Sequence, residues 1–199
     1  MASLPSQPSR KNTSHLQLTT AIPPKTSLID RLKRTSFLFE RKEDGIPIFH
    51  EAEQRHPQGQ IIYRSPRLST AEEELARKGR QEGAGLGEEL RFESRFESGN
   101  LEQAVRVGSE YHLYMAADTN TRGHRQWFYF SVTAPHSRTA TFVVHSFRKR
   151  LSLFQAGMRP YGKRRDQGDE AWRAVGRNVK YCRQERGRGE QRVEFSLSF

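Results

Sequence analysis

Hydrolytic zinc chemistry needs a His and a Glu close in sequence, a distant third ligand and a carboxylate that activates water. His50-Glu51-Ala52-Glu53 has the first spacing. It lies in a polar stretch and leaves two positions free, so chance explains it readily. The seven histidines show no other ligand spacing along the chain. Cys182 is the only cysteine. It excludes an intrachain disulfide and suits a reducing compartment. It reads as a packed or half-exposed thiol, not a nucleophile. Gly83 to Gly87 lacks the Lys and the flanking strand of a phosphate loop, and no Ser-His-Asp arrangement is identifiable. The residues themselves therefore support no catalytic residue and no metal ligand.

What the chain has in place of a reactive constellation is charge. It carries 34 Lys or Arg against 23 Asp or Glu, a formal net charge of +11 over 199 residues. From Ser146 to Phe199 there are 14 Lys or Arg and 6 Asp or Glu, so most of the excess sits in the last quarter. Such a surplus favours acidic partners: an acidic polypeptide, nucleic acid or an anionic surface. Arg148, Lys149, Arg150, Lys163, Arg164 and Arg165 are the candidates for binding an acidic tail. A solvated basic face is the plainer reading. Arg186-Gly187-Arg188-Gly189 is a weak RGG-like scrap, so nucleic acid is kept only as an alternative partner.

Hydrophobic content is 34% and mean hydropathy −0.87, which implies one packed domain plus a polar part. Residues 1–27 are rich in Ser, Thr, Pro and Gln and are expected to be disordered. Leu28 to Phe39 is a short apolar-basic patch, and the whole of residues 1–58 is expected to be a disordered or weakly ordered tail. Met1 to Lys25 has no apolar core of a signal peptide. No apolar run approaches the roughly 20 residues of a membrane helix. A cytoplasmic protein without a membrane partner is the expectation.

The domain is expected over residues 59–199. Gln60 to Arg64 reads as a first strand. Residues 69–82 read as a charged surface helix or long loop, with Thr70 and Glu73 as a capping box. From Leu90 the period becomes two, with Leu90, Phe92, Ser94 and Phe96 on one face. Ser98-Gly99-Asn100 is a turn whose Gly and Asn tolerate positive φ. Strands follow at Leu101–Val107, from Tyr111 to Met115, at Gln126–Val132, Ala140–Phe147, Asn178–Arg183 and Gln191–Phe199. Gln126–Val132 is bulky on both faces and should be central and covered on both sides. Short strands at this spacing imply an all-β, antiparallel β-sandwich. Phe92, Phe96, Tyr111, Leu113, Phe128, Phe130, Phe142 and Val144 should point inward.

Five phrases of this chain occur in one order in a known family. They are Phe92-Glu93-Ser94-Arg95-Phe96-Glu97-Ser98-Gly99-Asn100-Leu101; Glu110-Tyr111-His112-Leu113 with Asp118 and Asn120; Gln126-Trp127-Phe128-Tyr129-Phe130; Leu151 to Pro160 with Gly157 and Met158; and Trp172, Gly176, Val179, Tyr181 and Cys182. In these phrases residues 88–199 resemble the noncatalytic N-terminal domain of cytosolic carboxypeptidases. Within that family the likeness is to the second and third vertebrate paralogues. Ser146 stands where the family has Asn, and Leu151 where it has Lys.

The resemblance implies an antiparallel β-sandwich, in agreement with the periodicity. It implies a parent enzyme that removes C-terminal glutamates from polyglutamylated tubulin with zinc, in a peptidase domain whose motifs this chain does not contain. On that expectation the chain is not itself an enzyme and holds no cofactor. Phe96, Glu97, Ser98, Gly99, Asn100, Leu101, Gln126, Trp127, Phe128, Phe130, Gly157, Met158 and Pro160 would be structural or would meet the peptidase domain. Polyglutamylated tubulin tails would be a further partner, and a microtubule- or cilium-associated location would follow. The family domain continues beyond the last strand, so an exposed apolar edge is expected near Val193, Phe195, Leu197 and Phe199.

Overall fold

The structure is a computed structural model that describes residues 14–20, 53, 55–66, 89–118, 121, 124–164, 171–183 and 190–199. The strands are β1 (Ser14–Thr19), β2 (Gln60–Arg64), β3 (Arg91–Glu93), β4 (Leu101–Val107), β5 (Glu110–Met115) and β6 (Tyr129–Ala134). They continue with β7 (Thr139–Phe147), β8 (Tyr161–Arg164), β9 (Arg173–Ala174), β10 (Arg177–Arg183) and β11 (Gln191–Ser198). One sheet has the order β3-β6-β1-β8-β9 and the other β10-β11-β7-β5-β4-β2. Among the described residues the only helical element of any length is a single 3-10 turn at Leu153–Ala156.

The two sheets face each other across one core. Leu18, Leu113, Phe128, Phe130, Val132, Phe142, Val144 and Val193 are fully excluded from solvent there. Phe92, Tyr111, Phe130 and Phe142 form its centre, with ring centroids 5.8–6.4 Å apart in tilted, edge and stacked pairs. That spacing is the favourable range for aromatic pairs. The expected inward set is therefore inside, with one correction. Phe96 is only half-buried and packs edge-on against Tyr129 at 4.9 Å, past the end of β3.

The pairing is antiparallel except for β5 with β7, which run parallel from Glu110↔Thr141 to Leu113↔Val144. The reason is topological. The chain leaves β5, crosses to the other sheet as β6, and returns as β7, so two reversals restore the direction. The sandwich is thus mixed at one ladder rather than wholly antiparallel.

The first strand corrects the expected disorder of residues 1–27. Ser14–Thr19 is an interior strand, paired with β6 from Ser14↔Ala134 to Thr19↔Tyr129 and with β8 from Leu16↔Arg164 to Thr19↔Tyr161. Its composition offers only Leu16 and Leu18 to the core, both buried. Ordering comes from neighbours on both sides, which satisfy its backbone groups, and composition does not register this. Residues 1–13 and 21–52, including Leu28 to Phe39, and residues 67–88, including the expected helix, lie outside the described residues.

The last strand corrects the expected open edge. β11 lies between β10 and β7, and Val193, Phe195, Leu197 and Phe199 are all buried. Among the described residues three of the four outer strands are blunted. β3 and β9 are very short, and β10 exposes Arg177, Lys180 and Arg183. Short or cationic edges resist pairing with another chain. Leu18→Ala should cost roughly 2–5 kcal/mol, the range for deleting a buried Leu side chain. Urea melts would measure it; an unchanged midpoint would show that β1 does not belong to the folded unit.

Candidate functional site

Asn100 gathers the sequence phrases. It is buried and lies just before β4. Its side-chain Oδ1 accepts from the Tyr129 N–H at 2.7 Å, and its Nδ2 donates to the Trp127 carbonyl at 3.2 Å. Its backbone N–H donates to the Tyr129 carbonyl at 3.0 Å, and its carbonyl accepts from Ala116 N–H at 2.7 Å. One residue thus supplies a side chain that acts as a strand neighbour to residues 127–129, in the other sheet. This explains why regular strand begins at Tyr129 rather than at Gln126. Gln126 and Trp127 are half-buried, Phe128 and Phe130 fully buried.

The turn before Asn100 is built differently from expectation. Ser98 takes the positive φ, 64°. Gly99 is needed for closeness: a Cβ there would lie 2.1 Å from the Ser94 carbonyl oxygen. Ser94 in turn joins Tyr63 (2.7 Å between hydroxyls) to the Leu101 carbonyl (2.7 Å). Glu97 and Ser98 are exposed. Leu101 is buried in the core. Phe96, Gly99, Asn100, Leu101, Ser94, Arg95, Ser65, Pro66, Glu102 and Ala116 border an open groove of about 350 Å³. Beside it Phe96 touches Tyr129, and Tyr129 touches Trp172 at 5.9 Å. Trp127 donates its indole N–H to Asp118 at 2.6 Å; Asn120 lies outside the described residues.

The fourth phrase forms a capped turn. Ser152 and Gln155 make a capping box on the 3-10 turn, and Gly157 closes it at φ 92°, a conformation that favours Gly. Met158 N–H returns to the Leu153 carbonyl at 2.9 Å. Pro160 is buried beside Gly176, whose φ is 80°. These residues shape the crossing from β7 to β8.

Of the basic candidates, Arg148, Lys149 and Arg150 are exposed at the end of β7, in the six-stranded sheet. Lys163 and Arg164 are half-buried on β8, in the other sheet. Arg165 and Arg186 to Gly189 lie outside the described residues.

Residues 92–188 match the cytosolic carboxypeptidase N-terminal domain. This stretch of the chain is such a domain. The chain is 38% identical to cytosolic carboxypeptidase 3 of Bos taurus over 115 residues, 55% of this chain and 11% of that protein. It is 41% identical to cytosolic carboxypeptidase 2 of Mus musculus over 107 residues, 51% of this chain and 12% of that protein. With cytosolic carboxypeptidase 4 of Homo sapiens it shares 44% identity over 73 residues. The chain thus spans about a tenth of these relatives. No solved structure matches it.

The structure also contains a polar cluster that sequence spacing misses, with one member outside the matched stretch. His112 on β5 and His145 on β7 lie on the outer face of the six-stranded sheet, and His56 folds over them from the turn before β2. One ring nitrogen of each lies within 4.8 Å of the other two. His112 Nδ1 and His145 Nε2 are hydrogen-bonded at 2.8 Å, and Tyr114 stacks on His145 at 4.8 Å and 7°. No periodicity could pair positions 56, 112 and 145, because the parallel β5–β7 ladder that joins two of them is long-range. Glu53, from the His50-x-x-Glu53 spacing, is exposed and paired with Arg64 at 3.0 Å. His50 lies outside the described residues, so the described residues assemble no hydrolytic zinc set from that motif.

Burial lowers the pKa of all three histidines, with further lowering by neighbouring positive charge from Arg55, Arg192 and the other rings; His112 falls to about 4. These rings stay neutral in the folded protein at pH values where they are protonated in the unfolded chain. Stability is then full above about pH 6.5 and is lost as pH falls toward 4, by about 3 kcal/mol for His112. Urea midpoints of the metal-free protein across that window should fall, and His112→Gln should flatten the fall. A flat wild-type profile would contradict the burial.

Gly99→Ala should destabilise the domain by roughly 1–3 kcal/mol, the cost of forcing extra atoms into packed structure. Asn100→Ala should cost about 2 kcal/mol or more, since it strips partners from buried backbone groups. Thermal melts would check both.

Proposed function

We propose that this domain is the noncatalytic N-terminal module of a cytosolic zinc metallocarboxypeptidase that trims C-terminal glutamates from polyglutamylated tubulin. The observation that carries this reading is the match over residues 92–188, centred on the Asn100 junction. Its role is to dock the peptidase domain. The groove beside Phe96, Gly99 and Asn100, with the half-exposed Phe96, Tyr129 and Trp172, is the face assigned to that contact. The relatives are long enough to hold such a partner, since the chain covers only 11–12% of the first two compared. Aromatic rings that are half-buried in the free domain are suited to an interface core.

The exposed Arg148-Lys149-Arg150 run supports a second contribution, steering of acidic glutamate tails toward the enzyme. Such steering raises the encounter rate and weakens with salt. The module would act in the cytoplasm, at microtubules or cilia, and zinc would belong to the peptidase domain.

Binding of this chain to the peptidase domain of cytosolic carboxypeptidase 2 tests the docking. Phe96→Ala, with its fold checked by circular dichroism, should weaken that binding at least tenfold. Equal binding by the variant, or none by the wild type, would reject this face. The chain alone should release no glutamate from glutamylated tubulin above a heat-killed control. A polyglutamate peptide should bind in a salt-dependent manner and more tightly than an RNA of equal charge; preference for RNA would favour a nucleic-acid-binding domain instead.

A further inference from the structure

We propose that His56, His112 and His145 form a binding site for a late first-row divalent cation, zinc above all, which clamps the turn before β2 onto the six-stranded sheet. Three imidazoles converge from three separate parts of the chain, with one nitrogen of each within 4.8 Å of the others. Nitrogen ligands at about 2.0–2.1 Å around a tetrahedral zinc stand about 3.3 Å apart. The His112–His145 pair, at 2.8 Å, needs to open only slightly, and His56 to move inward.

The His112 tautomer suits coordination, and the proton that the His112–His145 hydrogen bond then requires on His145 Nε2 has to leave that nitrogen when an ion binds. His112 Nε2 lies 3.3 Å from the Glu110 carboxylate, which favours the tautomer with hydrogen on Nε2. Nδ1, the nitrogen facing His145, then presents its lone pair. A carboxylate behind a ligating histidine is the usual device for orienting it and raising its basicity. His56 Nε2 is buried and has no hydrogen-bond partner. A buried polar atom in that state costs free energy unless something fills its place, and a metal ion would. Imidazole donors select zinc, copper, nickel and cobalt over magnesium or calcium.

The packing holds the rings in place. His56 packs tilted against His112 at 4.0 Å, and His112 stacks on His145 at 5.0 Å. Gly59 lets the turn lie this close, because a Cβ there would stand 2.4 Å from Val105 Cγ1. His56 N-terminally closes the turn, its carbonyl accepting from Gly59 N–H at 2.8 Å. The nearby arginines are each ion-paired, Arg55 with Glu190 at 3.1 Å and Arg192 with Glu194 at 2.7 Å. A cavity of about 350 Å³ bordered by Glu53, His56, Pro57, Gly59, Ile61 and Val105 gives water and metal access.

The test is metal titration of the full chain with any affinity tag removed. Zinc should bind one ion per chain, measured by competition with a chromophoric chelator. Cobalt should give the visible absorption of a nitrogen-ligated, low-coordinate site. His56→Ala, on a turn outside the sheets, should weaken binding at least 100-fold while circular dichroism shows the sandwich intact. Glu110→Gln should weaken it about tenfold. Zinc should slow amide exchange over residues 55–59. The double variant His124→Ala/His136→Ala, at two exposed histidines, and Cys182→Ser should bind as the wild type does. Absence of a bound ion in the wild type, full affinity in His56→Ala, or loss of binding in either control would overturn the proposal.

Discussion

Everything else in the domain depends on how the two sheets are joined at Asn100. A sandwich held only by side-chain packing leaves the relative slide of its sheets to shape complementarity. Here Asn100 makes three hydrogen bonds to the other sheet, two through its buried amide to Tyr129 and Trp127 and one through its backbone N–H to Tyr129, while its carbonyl extends the β4–β5 ladder to Ala116. Each such bond contributes modestly, near 1 kcal/mol net. Breaking one in a buried setting costs more, because its partner is left stranded. The junction therefore acts as a registration device: β6 can start only at Tyr129, and its inner face must then be Phe130 and Val132. The core aromatics follow from that setting.

Much of this was readable from the chain. Alternation from Leu90 to Phe147 gave the strands and nearly all of the inner face, because a sheet with one buried side forces period two. Phe96 deviates because β3 has already ended when the chain reaches it, so its face no longer follows the strand's count. β1 was not readable. Two leucines in a polar stretch carry too little apolar signal, and the strand is ordered mainly by ladders on both sides. The parallel β5–β7 ladder was not readable either, since it follows from β6 being lent to the opposite sheet.

The glycines show the same limit at finer scale. Gly99 and Gly157 stand in the same kind of phrase, yet for different physical reasons. Gly157 has a left-handed backbone. Gly99 does not; it is small because the Ser94 carbonyl occupies the space a side chain would need. Ser98 carries the positive φ instead. Ser146 is the other departure: at φ 69° it holds a conformation that Asn and Gly bear more easily than Ser. Its hydroxyl is buried without a hydrogen-bond partner. Both facts mark position 146 as one that an Asn would occupy with less strain than Ser.

The outer face of the six-stranded sheet explains why the histidines cluster at all. Gln103, His112, Tyr114 and His145 are buried there, where an antiparallel sheet commonly meets water. Polar groups at such depth cost free energy unless they find partners; His112 and His145 find each other, whereas both polar atoms of Gln103 find none. The turn from Arg55 to Gly59 covers this face and contributes a third imidazole, so the cover and the polar layer depend on one another. An apolar layer would have needed only a lid. The layer of imidazoles is covered instead by a third ring, since His56 packs against His112 on a turn that glycine at position 59 allows to close against Val105.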